Sequence, residues 1–272
     1  EKPLATAMVL YATGFNAWNQ LQVDGDENPE EPDDISSFTC VSRDDAIESV
    51  RPFFSYTRVH DNETLYQYAS INNLLLNNPS HTFPNFPDIA QLVAYETGFA
   101  ALSSTGQVWT WGDERYAACL GREPSDDSPA DTPGLVTDLE DLPTGPITKL
   151  AAGGYVLAAL TAGNDLYCWG HAGRSPMLLQ DLPDTPGPVV IDDRDIVNVA
   201  VGGAHMLVLT ADREVYVTGD NASGQLGLLE VRSTSTWARV DLGSVLAAED
   251  GVVTGVVAGP RNSFLIVRKQ LD

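Results

Sequence analysis

The sequence has 272 residues, of which 38 are acidic and 15 basic, so its formal net charge at pH 7 is −23. A surface this acidic is repelled by nucleic acids and by anionic membranes, and no stretch approaches the roughly 20 apolar residues of a membrane-spanning helix. We therefore expect no direct nucleic-acid binding and no membrane insertion, and we expect a basic protein or a Lys/Arg-rich segment as the partner.

One short pattern recurs along the chain at intervals of about fifty residues. An aliphatic residue is followed by an aromatic one, and the copy ends in Gly four times and in Ala once, at residues 10–14, 65–69, 108–112, 166–170 and 215–219. Each copy predicts a β-strand. The four glycines, Gly14, Gly112, Gly170 and Gly219, are interpreted as structural positions where a bulge or a positive φ lets the chain leave the strand.

The segments before these copies repeat as well. Residues 147–154 lead to 157–161, and residues 196–203 lead through His205 to 207–210. Residues 89–103 fit the same template, and residues 47–59 fit it more weakly. Each repeat thus predicts a strand, a Gly-rich turn, a second strand, a tight turn, the aromatic strand and a long polar loop. We interpret His205 as a structural residue that forms a hydrogen bond across the Gly-rich turn.

Short strands with turn signals at this period are typical of the blades of a β-propeller. Residues 252–267 predict a first and a second strand, whereas residues 7–14 predict a third. The two ends of the chain would then share one blade, which closes the ring and protects its edges. We predict an all-β, single-domain propeller (1–272) of about five four-stranded blades, or six if one has eroded, at 252–268 with 7–41, 46–80, 89–136, 147–191 and 196–240.

Residues 220–227, Asp-Asn-Ala-Ser-Gly-Gln-Leu-Gly, resemble the signature of the regulator of chromosome condensation repeat family. Residues 15–21 resemble a second copy, and residues 111–121 and 169–170 partial ones. The chain looks most similar to the small "domain-containing" members. The resemblance implies a β-propeller that works by interaction: nucleotide exchange on the Ran GTPase, association with chromatin, or partnership in tRNA and translation-factor modification. It assigns no functional residue here.

Acidic runs follow two of the aromatic strands. In a four-stranded meander, the turn between strands one and two lies on the same face as the loop between strands three and four. Acidic loops of the second kind should therefore converge on one face, which predicts a docking face for a basic segment. The alternative is that these charges only maintain solubility. The candidate residues are Asp24, Asp26, Glu27, Glu30, Glu31, Asp33, Asp34, Asp126 and Asp127.

Aromatic residues on the same face are candidate hot spots for binding. Trp18 follows Gly14 in a loop, and Tyr155 lies in the turn between a first and a second strand. Trp18 could instead be buried against the adjacent blade. Phe83 and Phe86 belong to a Pro-rich segment, which we interpret as a connector between blades.

No motif for catalysis or for cofactor binding is present. The sequence has no nucleophile elbow, phosphate-binding loop or zinc-protease motif, and its four histidines lack metal-ligand spacing. We predict a non-catalytic interaction scaffold without cofactor or metal, acting in the nucleus or cytoplasm as a monomer or as a subunit of a hetero-complex. The alternatives are a small-GTPase regulator, a partner in tRNA or translation-factor modification, and, in another class, a propeller glycosidase. The acids lie in peripheral loops and the inner strands read as Ala, Val, Leu and Gly, which disfavours the glycosidase.

Overall fold

The computed structural model describes residues 8–14, 34–43, 57–59, 64–67, 79–171, 182–243, 246 and 251–269. The chain divides into two compact units. The first unit comprises Glu1–Pro52, Ala172–Leu182 and Val190–Asp272, and the second comprises Phe53–His171 and Pro183–Val189. The helices of the described ranges are all too short or too polar to cross a membrane.

The described residues form mostly strands. The first nine are β1 (Met8–Gly14), β2 (Ile35–Arg43), β3 (Thr57–Val59), β4 (Thr64–Gln67), β5 (His81–Pro84), β6 (Ile89–Tyr95), β7 (Gly98–Ser103), β8 (Val108–Gly112) and β9 (Gly134–Leu135). The others are β10 (Ile147–Gly153), β11 (Val156–Thr161), β12 (Leu166–Gly170), β13 (Gly187–Val189), β14 (Ile196–Val201), β15 (His205–Thr210), β16 (Val215–Asp220), β17 (Ser233–Arg239), β18 (Gly251–Ala258) and β19 (Asn262–Lys269). Two 3₁₀ turns, Glu114–Tyr116 and Thr137–Leu139, and one short helix, α1 (Ala117–Leu120), lie between them.

The first unit contains two four-stranded antiparallel sheets. One has the order β14-β15-β16-β17, and the other has the order β18-β19-β1-β2. In the second sheet β1 pairs with β19, in a register that runs from Met8 opposite Arg268 to Gly14 opposite Asn262. The N-terminal and C-terminal strands therefore share one sheet, which confirms the prediction made from the two ends of the sequence. This pairing covers the edges that β1 and β19 would otherwise expose.

The second unit contains three antiparallel sheets. Two are four-stranded, with the orders β6-β7-β8-β9 and β10-β11-β12-β13, and the third has three described strands in the order β3-β4-β5. The last strand, β5, lies after residue 80, where we expected that blade to end. Phe83 pairs with Leu65 in this strand, and its ring lies 6.0 Å from that of Trp111. The Pro-rich segment therefore begins as a strand, because packing of its phenylalanine outweighs the turn preference of its prolines.

Each unit buries its own core. In the first unit the core includes Tyr11, Leu207, Val217, Leu226 and Leu265, none of them more than 5% exposed. In the second unit, Trp169, Leu150 and Leu157 belong to one cluster, whereas Trp111 and Leu65 belong to another. The third strands contribute an aliphatic or aromatic residue to every one of these clusters. Burial of these side chains explains why the aliphatic–aromatic pattern recurs in the sequence.

The first strand of four sheets contains an irregularity near its start. The register shifts by one residue between Ile89 and Gln91, Ile147 and Lys149, Ile196 and Asn198, and Val253 and Gly255. A bulge of this kind redirects the side chains that follow it. The residue that follows the bulge is polar in three of these four strands: Gln91, Lys149 and Asn198. The expectation that the inner strands, which are the first strands of the sheets, present Ala, Val, Leu and Gly is therefore wrong at these positions.

Gln91 shows what such a residue does. Its Nε2 donates to the carbonyl of Leu150 (2.6 Å), and its Oε1 accepts from the amide of Leu150 (2.8 Å). Leu150 lies in the first strand of the next sheet. The side-chain amide therefore satisfies both backbone groups of a residue across the gap between two sheets, a contact that apolar residues cannot make.

In four sheets, the glycine that ends the aromatic strand lies against the turn between strands one and two. A Cβ on Gly170, whose φ is +135°, would lie 2.2 Å from the carbonyl oxygen of Tyr155. The other three glycines make the same approach to a carbonyl oxygen. A Cβ would lie 2.2 Å from that of Arg261 if added to Gly14, 2.3 Å from that of Thr97 if added to Gly112, and 2.4 Å from that of Ala204 if added to Gly219. The glycine is required mainly because the two backbones touch, and at Gly112 the contact occurs without a positive φ.

We expect Gly170→Ala to lower the free energy of unfolding by more than about 2 kcal/mol, because it combines an unfavourable φ with a backbone clash. Gly145→Ala is the matched control, since Gly145 also has a positive φ (+91°) but its Cβ would meet only the Ala162 side chain, at 3.4 Å. The control should cost about 1 kcal/mol. Urea unfolding of both variants measures the difference, and equal losses would show that backbone contact is not the cause.

Candidate partner-binding face

In three sheets, backbone hydrogen bonds bring the turn between strands one and two and the loop between strands three and four to the same face. The residue after the repeat glycine donates its amide to the carbonyl that precedes the second strand. These bonds join Asp113 to Thr97 (2.9 Å), His171 to Tyr155 (2.9 Å) and Asp220 to Ala204 (2.8 Å). The loop between strands three and four therefore starts beside the turn between strands one and two, as expected for a meander.

In the second unit, the loop of residues 113–133 follows β8. Asp113 accepts the amide of Arg115 and so caps the 3₁₀ turn that begins the loop. Cys119 and Leu120 of α1 are buried. The indole Nε1 of Trp169, in the next sheet, donates to the carbonyl of Cys119 (3.3 Å). The loop is thus packed on the neighbouring sheet, where it holds a fixed position.

Arg122 holds the second half of this loop. Its guanidinium donates to the backbone carbonyls of Thr110, Ser128, Pro129 and Thr132, at 2.9–3.3 Å, and to the hydroxyl of Ser128 at 3.1 Å. Burial lowers the pKa of Arg122 from its usual value. The planar, multi-donor head of arginine suits such a set of carbonyls, whereas the single ammonium of lysine does not.

Asp126 and Asp127 occupy the tip of the loop. Ser125 and Ser128 exchange backbone hydrogen bonds at 3.1 Å, which leaves the two aspartates between them exposed. The loop carries six acidic and two basic residues, a net charge of −4. Of the ion pairs formed among the described residues, none involves Asp126 or Asp127. The tip therefore presents two carboxylates to solvent on a rigid base.

An aromatic cluster lies at the other end of the loop. Tyr116, Tyr155 and His171 have ring centroids 5.2 Å (Tyr116–Tyr155), 6.0 Å (Tyr116–His171) and 6.4 Å (Tyr155–His171) apart. The two tyrosines are half-buried and His171 is exposed. Beneath them, the thiol of Cys119 donates to the carbonyl of Tyr155 (3.2 Å), and burial raises the pKa of this thiol, which keeps it protonated.

The corresponding loop of the first unit contains the repeat signature and is held differently. Asn221 donates its side-chain Nδ2 to the carbonyls of Leu228 (2.8 Å) and Val231 (2.5 Å), and its Oδ1 accepts the amide of Leu226 (2.8 Å). The loop is joined to the next sheet by Thr13, whose hydroxyl donates to the carbonyl of Gly224 (2.8 Å). The signature residues thus fold the loop and anchor it. The tip carries exposed apolar residues, Leu229 (68%) and Val231 (39%).

His205 begins β15 and is fully buried. Its Nε2 lies 3.2 Å from the carbonyl of Asn262, so this nitrogen carries the proton in the neutral ring. Nδ1 has no hydrogen-bond partner among the residues that the structure describes. Burial lowers the pKa of His205 to about 4, and neither the Asn262 carbonyl nor the charge of Asp220 offsets this. The side chain is neutral at pH 7 and packs against Gly202.

The structure describes only some of the residues expected to bind a partner, and it describes them in two separate units. Asp34, Asp126 and Asp127 are exposed and Tyr155 is half-buried. Trp18 and the acidic residues at 24–33 lie outside the described residues. Tyr116 and His171 were missed as members of the face, because their ring contacts join elements far apart in sequence. Arg122 was missed because its hydrogen bonds to carbonyls near it in the sequence have no signature in the residue pattern. Groups of three or more metal-ligating side chains are absent from the parts of the chain that the structure describes.

Comparison with known proteins shows the family resemblance. A sequence model of the regulator of chromosome condensation (RCC1) repeat matches residues 196–225. The mouse regulator of chromosome condensation is 30% identical over 167 residues, covering 60% of this chain and 38% of that protein. The mouse E3 ubiquitin-protein ligase HERC2 is 32% identical over 177 residues, covering 60% of this chain and 3% of the ligase. The chain thus spans well under half of the length of these relatives.

Solved structures show the fold. Prp20p of Saccharomyces cerevisiae, described with its binding to Gsp1p and histones, superposes with a TM-score of 0.58 at 18% identity, covering 76% of this chain and 49% of that one. Human WBSCR16 gives a TM-score of 0.59 at 16% identity, covering 98% and 71%. The fold is therefore a β-propeller of this class, and the five sheets described are consistent with five or six blades.

Protonation of His205 should destabilise the protein in acid. Its pKa is about 4 in the folded protein, against an ordinary value of 6.5, so the unfolded chain takes up the proton first as the pH falls. The free energy of unfolding is therefore not reduced by this histidine above pH 6.5, and it falls by about 3 kcal/mol as the pH drops to about 4. We expect His205→Gln to flatten this part of the stability–pH curve relative to His81→Gln, a control at an exposed histidine. Parallel wild-type and His205→Gln curves in urea unfolding would contradict the assignment.

Arg122→Lys should loosen the acidic loop. The lysine retains the charge but cannot reach four carbonyls at once, and we expect a loss of about 1–3 kcal/mol in local stability. Hydrogen exchange of residues 123–132 should become faster while β10–β12 stay protected. Unchanged exchange in the loop would show that Arg122 does not hold it.

Proposed function

We propose that this chain, which carries the RCC1 repeat on a β-propeller fold, is a non-catalytic interaction scaffold whose acidic loop face binds a Lys/Arg-rich protein segment. The observation that carries the proposal is the loop of residues 113–133. It presents Asp126 and Asp127 on a base that Arg122 and α1 hold in place. A preformed loop loses little conformational entropy when it binds, so its charges can favour association with a basic partner.

The likeness to Prp20p supports a protein partner, because that protein is described with histones and Gsp1p as binding partners. Histones are rich in lysine and arginine, which fits the acidic character of this face. The acidic run at 24–34 extends the proposal to the first unit, where it follows β1. The proposed binding residues of the first unit are Trp18, Asp24, Asp26, Glu27, Glu30, Glu31, Asp33 and Asp34. The protein would act inside the cell, in the nucleus or the cytoplasm, as one subunit of a hetero-complex.

A second candidate function is regulation of a small GTPase, which the likeness to the regulator of chromosome condensation favours. An exchange assay with Ran loaded with a fluorescent nucleotide tests it. Nucleotide release accelerated by the chain would support this candidate. Release at the intrinsic rate would leave the scaffold as the better account.

The glycosidase alternative loses support. Such an enzyme needs two carboxylates facing each other across the substrate. The described first strands β6, β10, β14 and β18 contain no aspartate or glutamate. Their polar residues after the bulge are Gln91, Lys149 and Asn198, and burial lowers the pKa of Lys149 to about 8.

We expect Asp126→Asn/Asp127→Asn to weaken binding of an octa-lysine peptide about three- to tenfold at low salt, since each exposed carboxylate contributes a modest attraction that salt screens. The variant should also show a shallower dependence of affinity on salt concentration. Asp138→Asn/Asp141→Asn is the matched control, because these residues are exposed but lie after β9, outside the loop. Equal affinities for the wild type and both variants would mean that the charges only maintain solubility.

A further inference from the structure

The aromatic cluster of Tyr116, Tyr155 and His171 combines residues of two adjacent sheets. Tyr116 ends the 3₁₀ turn in the loop after β8, Tyr155 lies in the turn between β10 and β11, and His171 follows β12. Tyr116 and Tyr155 are tilted by 33°, whereas the His171 ring is nearly perpendicular to Tyr116, at 86°. The cluster is therefore a compact group of rings with different orientations, at the boundary between two sheets.

Backbone contacts fix these rings. The amide of His171 donates to the carbonyl of Tyr155 (2.9 Å), which also accepts from the Cys119 thiol (3.2 Å). The amide of Glu96 donates to the carbonyl of Gly154 (2.7 Å), so the turn of the preceding sheet supports the turn that carries Tyr155. A cluster held in this way is preorganised, and preorganised aromatic residues make strong contacts at interfaces.

Two acidic residues belong to the segments that carry or support the rings. Glu96 is bonded through its backbone to the residue before Tyr155, and Glu114 precedes Tyr116 by two positions; both side chains are exposed. Asp113 is engaged by Arg115 in an ion pair of 2.5 Å, so these two residues neutralise each other. The faces of tyrosine rings attract cations, and nearby carboxylates add to this attraction.

We propose that this cluster binds an arginine side chain of the basic segment. The inference rests on the proposed function and names the residue type that the site selects. A guanidinium is planar and weakly hydrated, so it stacks on an aromatic face while its edge donates to a carboxylate. An ammonium is compact and strongly hydrated, and it gains less from this combination. Lysine would therefore bind mainly through the general negative charge of the face.

Titration of the full chain with octa-arginine and octa-lysine, which carry equal charge, tests this selection by calorimetry at low and moderate salt. We expect octa-arginine to bind about tenfold more tightly than octa-lysine. Tyr116→Leu and Tyr155→Leu should remove this preference and change octa-lysine affinity less than about threefold. Tyr155→Phe keeps the ring face and should retain the preference, which guards against a variant that fails to fold. Tyr167→Leu, at a half-buried tyrosine outside the cluster, is the control and should also retain it.

Equal affinity of the two peptides for the wild type, or a preference that survives Tyr155→Leu, would overturn the arginine site. If octa-arginine and octa-lysine bound equally well and Asp126→Asn/Asp127→Asn weakened both, the proposed binding of a basic segment would stand without the arginine site. Absence of binding by either peptide at low salt would overturn both the arginine site and the proposed function.

Discussion

The contact between the glycine that ends a third strand and the turn between strands one and two recurs in four sheets and organises both units. At Gly170 the two backbones are so close that a single Cβ would overlap the carbonyl oxygen of Tyr155. The same carbonyl accepts the amide of His171, so one point of contact both excludes a side chain and is tied by a hydrogen bond. In the three sheets where the loop after the third strand begins within the described residues, this contact directs that loop toward the same type of face. The surface that a partner could meet follows from this constraint.

Two loops of the same topological class are stabilised by different chemistry. In the loop of the first unit, Asn221 binds backbone groups within the repeat signature, and the tip presents the apolar residue Leu229. The loop of the second unit lacks this asparagine, and Arg122 satisfies its carbonyls instead. Its tip presents carboxylates. A shared framework of strands and glycines can thus display unrelated surfaces, which is why the fold alone does not identify the partner.

Much of the fold could be predicted from the sequence, because the aliphatic–aromatic pattern, the glycines and the split repeat at the two ends each reflect a local requirement of the backbone. The strand β5 could not, since the prolines of its segment favour a turn, whereas its pairing with β4 and the packing of Phe83 on Trp111 favour a strand. The bulge before Gln91 has no signature in the alternation of residues. The aromatic cluster was partly missed for a related reason: Tyr155 stands out in its turn, but its neighbours Tyr116 and His171 come from other segments.

The most direct test of the proposed binding face is a hydrogen-exchange footprint of the full chain with and without octa-arginine. We expect slower exchange at residues 113–133 and at 154–155 and 171, where the acidic loop and the aromatic cluster lie on one face. Turns between second and third strands, at 104–107, 162–165 and 211–214, should be unaffected, because they lie at the opposite ends of the same strands. Protection confined to those turns, or none at all, would contradict a binding face built from the loops after the third strands.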